Sequence, residues 1–173
     1  MAHGRRIAET LRLVAPQLDA SVEAAVLDAM EEVETRGLRA TPGAAALLRQ
    51  LSEAQRAIVT SGSRAVATLR LRTAGLPIPD VFVTAGDMKQ GKPHPEGYLM
   101  AAGRLGVAPS DCVVVEDSPP GVAAGKAAGM RVIALLTTYP KAALTGADVR
   151  LDALAQLRVR PAAAPSTDLT LDF

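Results

Sequence analysis

Residues 112–121 read Cys-Val-Val-Val-Glu-Asp-Ser-Pro-Pro-Gly, and this stretch sets the fold class. A short apolar run bounded by polar and turn-forming residues predicts a buried strand. A serine followed by prolines is typical of a helix start, so we expect a helix at Gly121–Ala128. A strand that leads directly into a helix is the repeating unit of an α/β fold.

The same alternation extends in both directions along the chain. Further apolar runs predict strands at Ala57–Thr60, Val81–Thr84 and Arg131–Leu136, with a weaker strand near Val149. Helices of about ten residues separate these runs, which predicts βαβ units and a parallel sheet buried on both faces. Because crossovers between parallel strands are right-handed, we predict a Rossmann-like, doubly wound α/β layer over residues 37–158.

The N-terminal segment has a helical pattern instead. Apolar residues recur at helical spacing over Ile7–Leu18 and again over Val22–Val33. Ser21 is the expected N-cap of the second helix, and Gly37 is its expected end. Residues 1–36 are therefore predicted to be helices that lie outside the sheet.

The C-terminal end carries a weaker pattern. A helix near Asp152–Leu157 is expected to complete the α/β layer. Residues Arg160–Ser166 are rich in proline and alanine. We therefore predict that residues 159–173 form a C-terminal tail.

Composition excludes several classes of protein. The 173 residues suffice for one domain, and with 49% hydrophobic and 21% charged residues the chain can build a core. A net charge of +1 and four aromatic residues give no basis for nucleic-acid binding. No apolar run approaches the roughly 18 residues of a membrane span, so we predict no membrane partner and a cytoplasmic location. Cys112 is the single cysteine, which excludes an internal disulfide framework.

Three polar clusters follow predicted strands, where ligands bind in open α/β sheets. Thr60-Ser61-Gly62-Ser63 opens a helix, so its hydroxyls and N–H groups are suited to an anion, although a plain capping serine explains it too.

The second cluster contains Lys92, between Gly91 and Pro93, which could neutralise a phosphate or simply be solvated. His94 is interpreted as a loop or capping residue, because no second ligand lies at metal-binding spacing.

Glu116 and Asp117 form the third cluster. Two adjacent carboxylates directly after a buried strand are costly unless something compensates them. Oxygen ligands without histidine or cysteine suit Mg²⁺, so a magnesium site is one interpretation. The other is that Asp117 caps the next helix.

Together these segments resemble a known family. Val59–Gly62, Lys89–Glu96 and Val115–Pro119 with Gly121 are similar to three of the four motifs of the haloacid dehalogenase superfamily. His3-Gly4-Arg5-Arg6 resembles the cap-domain loop of its sugar and polyol phosphatases, including those that hydrolyse glycerol phosphate and 2-deoxyglucose 6-phosphate. The resemblance implies a magnesium-dependent phosphomonoesterase of a small sugar or polyol phosphate, with glycerol phosphate as the first candidate, and makes residues 1–36 a remnant of the cap.

The resemblance also implies residue roles. Thr60 or Ser61, with Gly62, would bind the phosphoryl oxygens, and Lys92 would be the catalytic lysine that neutralises phosphate. Asp117 and Glu116 would hold Mg²⁺, which argues against the metal-free dehalogenases of the same superfamily. The residues that would face the substrate from the cap are His3, Arg5 and Arg6.

One motif of the family is absent from these 173 residues. It is an apolar strand that ends in Asp-x-Asp-Gly-Thr and supplies the nucleophile. Asp168–Asp172 has the wrong spacing and no glycine. Because that strand is central in the family's sheet, we expect Met1 to lie within the cap region, the chain to lack activity as given, and exposed sheet edges to cause self-association. The alternative is a catalytically silent fragment or interaction module that pairs with another chain.

Overall fold

The computed structural model describes residues 3–161 and 169–172. The elements alternate between helices and strands through the middle of the chain, as the sequence pattern predicts. The helices are α1 Ile7–Val14, α2 Ala20–Glu31, α3 Ala44–Gln50, α4 Arg64–Thr73, α5 Glu96–Leu105 and α6 Pro119–Ala127. The strands are β1 Ala57–Val59, β2 Val81–Val83, β3 Val113–Glu116, β4 Arg131–Leu135, β5 Val149–Leu151, β6 Arg158–Pro161 and β7 Leu169–Asp172.

Strands β1 to β5 are all paired in parallel. Strand β1 pairs with β2, and β4 lies between β3 and β5. Helices α4, α5 and α6 make the connections between successive strands of this series up to β4. The predicted parallel α/β fold is confirmed, and the predicted strand positions agree with the structure to within one or two residues.

The parallel strands form two sheets rather than one. Strands β1 and β2 make the first sheet, and β3, β4 and β5 make the second. The Lys92 Nζ lies 3.4 Å from the Val59 carbonyl at the end of β1 and forms an ion pair with Glu116 at the end of β3. On β3, Val113 and Val115 remain 40% and 37% exposed. The sheet is therefore divided between β1 and β3, where the family resemblance implies a missing central strand.

Small residues let the helices approach the sheet closely. Ala124 of α6 and Ala134 of β4 are fully buried beside Val132 in one core cluster. A Cβ on Gly125 of α6 would lie 2.8 Å from a methyl group of Val132. The abundance of alanine and glycine thus permits close helix–sheet packing in a chain with few aromatic residues.

Helices α1 and α2 pack against each other, and their ends differ from the prediction. The N-cap of α2 is Asp19 rather than Ser21, because the Asp19 carboxylate accepts the N–H groups of Ser21 at 2.9 Å and Val22 at 3.2 Å. The helix ends at Glu31, well before Gly37. Most of the predicted apolar stripe stays exposed to solvent, at Val14, Leu18, Val22, Val26, Met30 and Val33.

The C-terminal region also differs from the prediction. A short 3₁₀ turn at Leu154–Gln156 replaces the expected helix. The predicted tail contains β6 and β7, which pair antiparallel with Val159 opposite Leu171. In β6 and β7 polar and apolar residues alternate over only four positions each. Such short alternation lacks the continuous apolar run by which the parallel strands were predicted. Most of the proline- and alanine-rich stretch and Asp168 lie outside the described residues.

Across the described ranges, none of the helices is both long and apolar enough to span a bilayer.

Candidate functional site

The three polar clusters of the sequence meet at the carboxyl ends of the parallel strands. Lys92 joins the second cluster to the other two, because its Nζ contacts the Val59 carbonyl and the Glu116 carboxylate. Gly4 makes a second connection, since its carbonyl accepts the Ser61 hydroxyl at 2.9 Å. A side chain on Gly4 would collide with the Ser118 hydroxyl, so this backbone also lies directly against the third cluster. The three clusters therefore lie close together in the structure.

A buried ion pair forms the centre of the site. The side chains of Lys92 and Glu116 are 9% and 8% exposed, so the alternative of a solvated lysine is wrong. Glu116 Oε1 accepts from the Lys92 ammonium and from the Tyr98 hydroxyl. Its Oε2 accepts from the Ser118 hydroxyl at 3.0 Å and from the Asp117 N–H at 3.2 Å. Such full pairing is what a buried charge needs to be tolerated.

The surroundings fix the charge states of this pair. Burial acts to raise the pKa of Glu116, but the Lys92 ammonium and the hydrogen bonds from Lys92, Tyr98 and Ser118 outweigh it and hold that pKa below the ordinary carboxylate value. Burial and the nearby Glu116 charge raise the pKa of Tyr98 well above its usual range. Glu116 is therefore an anion at neutral pH, and Tyr98 is a neutral hydrogen-bond donor.

Gly121 is required by the position of Glu116. A Cβ on this residue of α6 would overlap the Glu116 carboxylate. We expect Gly121→Ala to lower the free energy of unfolding by about 1–3 kcal/mol, because the carboxylate would have to move from its donors.

Gly103 of α5 is the matched control for this test. It lies in a helix like Gly121, and a Cβ there would meet no atom within 4 Å. Gly103→Ala is expected to raise the free energy of unfolding by up to about 1 kcal/mol through helix propensity. Urea denaturation of both variants measures the difference. Equal changes in the two would show that Glu116 does not constrain Gly121.

Asp117 has a more open environment than Glu116. Its side chain is 32% exposed, its Oδ2 accepts the Thr138 hydroxyl, and the same oxygen lies 3.3 Å from His3 Nε2. The cap of α6 is Ser118, whose hydroxyl accepts the Gly121 N–H at 3.2 Å. The alternative that Asp117 caps the helix is therefore wrong, and its Oδ1 faces no protein donor among the described residues.

The carboxylates can be compared with what Mg²⁺ requires. Both oxygens of Glu116 are engaged by protein donors, whereas Asp117 keeps an open oxygen at the strand ends. Within the described ranges, no group of three or more histidine, cysteine, aspartate or glutamate residues gathers around one point. Mg²⁺ commonly keeps several waters and takes one or two carboxylates, so these residues fit a water-rich ion at Asp117.

The hydroxyl cluster divides into two parts. Ser63 caps α4 by accepting the Val66 N–H at 3.3 Å. For this serine the alternative of a plain helix cap is therefore confirmed. Thr60 Oγ1 accepts the Gly62 N–H at 3.1 Å, and its own proton remains for another acceptor. Ser61 donates to Gly4. The cluster thus combines a helix cap at Ser63 with one hydroxyl, that of Thr60, whose proton an anion can use.

The predicted cap residues have different surroundings. His3 lies beside Asp117, and Arg5 lines a cavity of about 600 Å³ along the loop that carries Lys92. Arg6 is tied to Glu9 and to the backbone of that loop. His94 accepts the Glu96 N–H at 3.2 Å, as expected of a capping residue.

Sequence reasoning missed two residues of the site. Thr138 follows β4, so the rule that pointed to the other strand ends could have found it. Tyr98 faces inward from α5, where a buried aromatic residue usually indicates nothing more than core packing.

Comparison with known proteins identifies the family of the chain. A model of the haloacid dehalogenase-like hydrolase family matches residues 2–129. The chain is 46% identical over 162 residues to hexitol phosphatase A of Escherichia coli K12, covering 91% of this chain and 75% of that protein. It is 44% identical over 108 residues to glycerol-1-phosphate phosphohydrolase 2 of Saccharomyces cerevisiae, covering 57% of this chain and 43% of that protein.

A solved structure supports the same fold. A haloacid dehalogenase family hydrolase of Deinococcus radiodurans R1, crystallised with bound phosphate and sodium, superimposes with a TM-score of 0.64 at 34% identity. The match covers 89% of this chain and 74% of that one.

Proposed function

Because this chain belongs to the haloacid dehalogenase-like hydrolases, we propose that it forms the phosphate-binding part of a phosphomonoesterase acting on a small polyol or sugar phosphate. The observation that carries this proposal is the buried Lys92 ammonium between the first and third clusters. Similarity to hexitol phosphatase A and to a glycerol-1-phosphate phosphohydrolase supports a phosphorylated hexitol or glycerol phosphate as substrate.

Lys92 retains capacity for a ligand. An ammonium group has three N–H donors, and here one points to Val59 and one to Glu116. The third is available for a phosphoryl oxygen. The hydroxyl of Thr60, whose proton is not otherwise engaged, would bind another oxygen of the same group at the start of α4, and Ser61 would do so only after releasing the Gly4 carbonyl. Phosphoryl transfer depends mainly on such positioning and charge neutralisation.

The charge of the site explains a need for Mg²⁺. Lys92 is balanced by Glu116, and Asp117 adds a further negative charge, so the cluster as a whole repels a phosphate dianion. A divalent ion at Asp117 would reverse that sign and neutralise charge on the phosphoryl group. Glu116, with both oxygens engaged, would act by holding Lys92 in place rather than by binding the ion.

Ligand titrations test this function. In the presence of Mg²⁺ we expect sorbitol 6-phosphate and glycerol 3-phosphate to bind, and unphosphorylated sorbitol to show no measurable heat in calorimetry. Asp117→Ala is expected to abolish Mg²⁺ binding and to weaken both phosphates about tenfold or more, in the range usual for lost metal contacts.

Asp152→Ala is the control, because Asp152 is an exposed carboxylate outside the site. It should leave all affinities unchanged. Binding of sorbitol as tight as that of its phosphate would contradict the phosphate site. Equal Mg²⁺ affinity in wild type and Asp117→Ala would remove the metal assignment.

The divided sheet favours a second candidate function. Strands β1 and β3 belong to separate sheets, which supports an interaction module that takes up a strand from another chain. Static light scattering separates the two: a chain that self-associates without binding any of the phosphates would support the interaction module alone.

A further inference from the structure

We propose that Glu9 of α1 and Arg6, the N-cap residue of α1, are positioning residues for Lys92, because they hold loop 88–91, which leads directly into Lys92. We call this pair the α1 latch. The proposal rests on the proposed function in that Lys92 is taken to be the phosphate-binding lysine. It assigns Arg6 to the loop rather than to the substrate and adds Glu9, which no sequence motif indicates.

The loop amides are held by carboxylates from two different elements. The N–H of Gly91 donates to Glu9 Oε1 at 3.0 Å, across 82 residues of sequence. The preceding N–H groups of Lys89 and Gln90 donate to Glu96 of α5 at 2.8 and 2.9 Å. Three consecutive amides are thus fixed, and the one next to Lys92 depends on α1.

Arg6 completes the latch from the same helix turn. Its Nε donates to Glu9 Oε1 at 2.7 Å, which orients the carboxylate toward the loop. Its guanidinium also donates to the carbonyls of Met88 at 3.2 Å and Lys89 at 2.9 Å. One pair of side chains three residues apart therefore binds both donors and acceptors of the loop.

Gly91 gives independent evidence that the contact is close. A Cβ there would lie 2.7 Å from Glu9 Oε2 and 2.8 Å from Arg6 Nε. Gly91 is not among the described glycines with positive φ, so its backbone conformation would accept another residue. A side chain at this position would therefore have to displace the latch, whereas the turn geometry itself would tolerate it.

Lys92 is the residue next to this contact. Its Nζ must lie between the Val59 carbonyl and the Glu116 carboxylate at the same time. A loop free to move would reduce the fraction of time in which both contacts form. The latch thereby holds the ammonium where the proposed phosphate site needs it.

Hydrogen exchange measured by NMR on the full 173-residue chain tests the latch. The reporters are the Gly91 amide and the ammonium protons of Lys92. We expect Glu9→Ala to speed exchange at both by about tenfold or more, the change expected for loss of a charge-assisted hydrogen bond. Glu9→Gln should give a smaller change, because its amide oxygen can still accept from Gly91 but no longer pairs with Arg6 as an ion. Glu32→Ala, at an exposed position after α2, is the control and should change neither rate.

A double-mutant cycle makes the test specific. Gly91→Ala is expected to speed exchange of the Lys92 ammonium, because the new methyl group displaces Glu9. Glu9→Ala with Gly91→Ala should be no worse than either change alone, since both break the same contact. Additive effects would overturn the latch. An unchanged Gly91 amide in Glu9→Ala would do so too, as would a faster amide with an unchanged Lys92 ammonium.

A failure of the proposed function can be distinguished from a failure of the latch. If the wild-type chain binds none of the phosphates, the phosphate assignment of Lys92 is wrong. The exchange rates still decide whether the latch positions this side chain, because they require no ligand.

Discussion

Purified alone and supplied with Mg²⁺, the 173-residue chain is expected to release no phosphate from sorbitol 6-phosphate, glycerol 3-phosphate or 2-deoxyglucose 6-phosphate. The same chain extended by an apolar strand that ends in Asp-x-Asp-Gly-Thr is expected to hydrolyse at least one of them. The resemblance to the family assigns the covalent step to an aspartate of that motif. Of the carboxylates at the strand ends, Glu116 is buried with both oxygens engaged, and Asp117 is assigned to the metal. Loss of a nucleophile typically lowers kcat by about 10⁶-fold.

The added strand has a place in the structure. Strands β1 and β3 run in separate parallel sheets whose carboxyl ends both contact Lys92, so a parallel strand between them would join the two sheets. We expect the extended chain to be monomeric and to unfold in one sharp transition, whereas the 173-residue chain self-associates and unfolds broadly. Calorimetry and light scattering measure both.

A control separates catalysis from folding. The same extension with Asn-x-Asn-Gly-Thr should restore the sharp transition without restoring turnover. Turnover by the 173-residue chain that disappears in Asp117→Ala would show that the nucleophile is misplaced. A sharply melting, monomeric 173-residue chain would contradict the open division between β1 and β3.

The buried ion pair gives the second large effect. Lys92→Met is expected to lower the free energy of unfolding at pH 7 by about 3–5 kcal/mol, because it leaves the Glu116 charge buried without its partner. The double variant Lys92→Met with Glu116→Gln should recover part of that loss, since no unpaired charge remains. Lys126→Met is the control, because Lys126 pairs with Asp148 at the surface and should cost little.

The pH dependence of stability provides a check on the same pair. The folded-state pKa of Glu116 is lowered, so its contribution is present above the ordinary carboxylate pKa near 4.5 and is lost as the pH falls through the folded pKa. Urea denaturation between pH 3 and 7 should show this acid loss in wild type, and less of it in the double variant. The same acid profile in wild type and in the double variant, with no recovery of stability in the double variant relative to Lys92→Met, would contradict a coupled pair.

The central part of the fold was predictable because its signals are local. Each parallel strand is a short run of apolar residues between turn-forming residues. The predicted burial on both faces fails for β3, where Val113 and Val115 stay exposed. The three polar clusters were predictable for a related reason: the first and third directly follow strands, the second lies in the loop after β2, and parallel strands end at the same edge of a sheet. Position along the chain was thus enough to place the clusters at the ligand-binding edge, and the contact between Lys92 and Glu116 is seen only in the structure.

Other features depend on contacts between distant residues. Glu116 and Asp117 look equivalent in sequence, and only the tertiary contacts with Tyr98 and Lys92 separate a saturated carboxylate from an open one. Arg6 matches a substrate-facing motif, but Glu9 and the loop carbonyls engage it. The N-cap of α2 is Asp19 and not the predicted Ser21. Either side chain can cap a helix, and the sequence pattern does not choose between them.

The most direct test of the phosphate site is a titration of inorganic phosphate into the Mg²⁺-loaded chain. Wild type, Lys92→Met and Lys126→Met are compared at the same temperature and pH. The site predicts measurable binding in wild type and in Lys126→Met, with a loss of about tenfold or more in Lys92→Met for the missing charge-assisted hydrogen bond. Circular dichroism of each variant at the titration temperature ensures that only folded protein is compared. Phosphate affinity that is the same in folded Lys92→Met as in wild type would contradict the site that these three strand-end clusters are proposed to form.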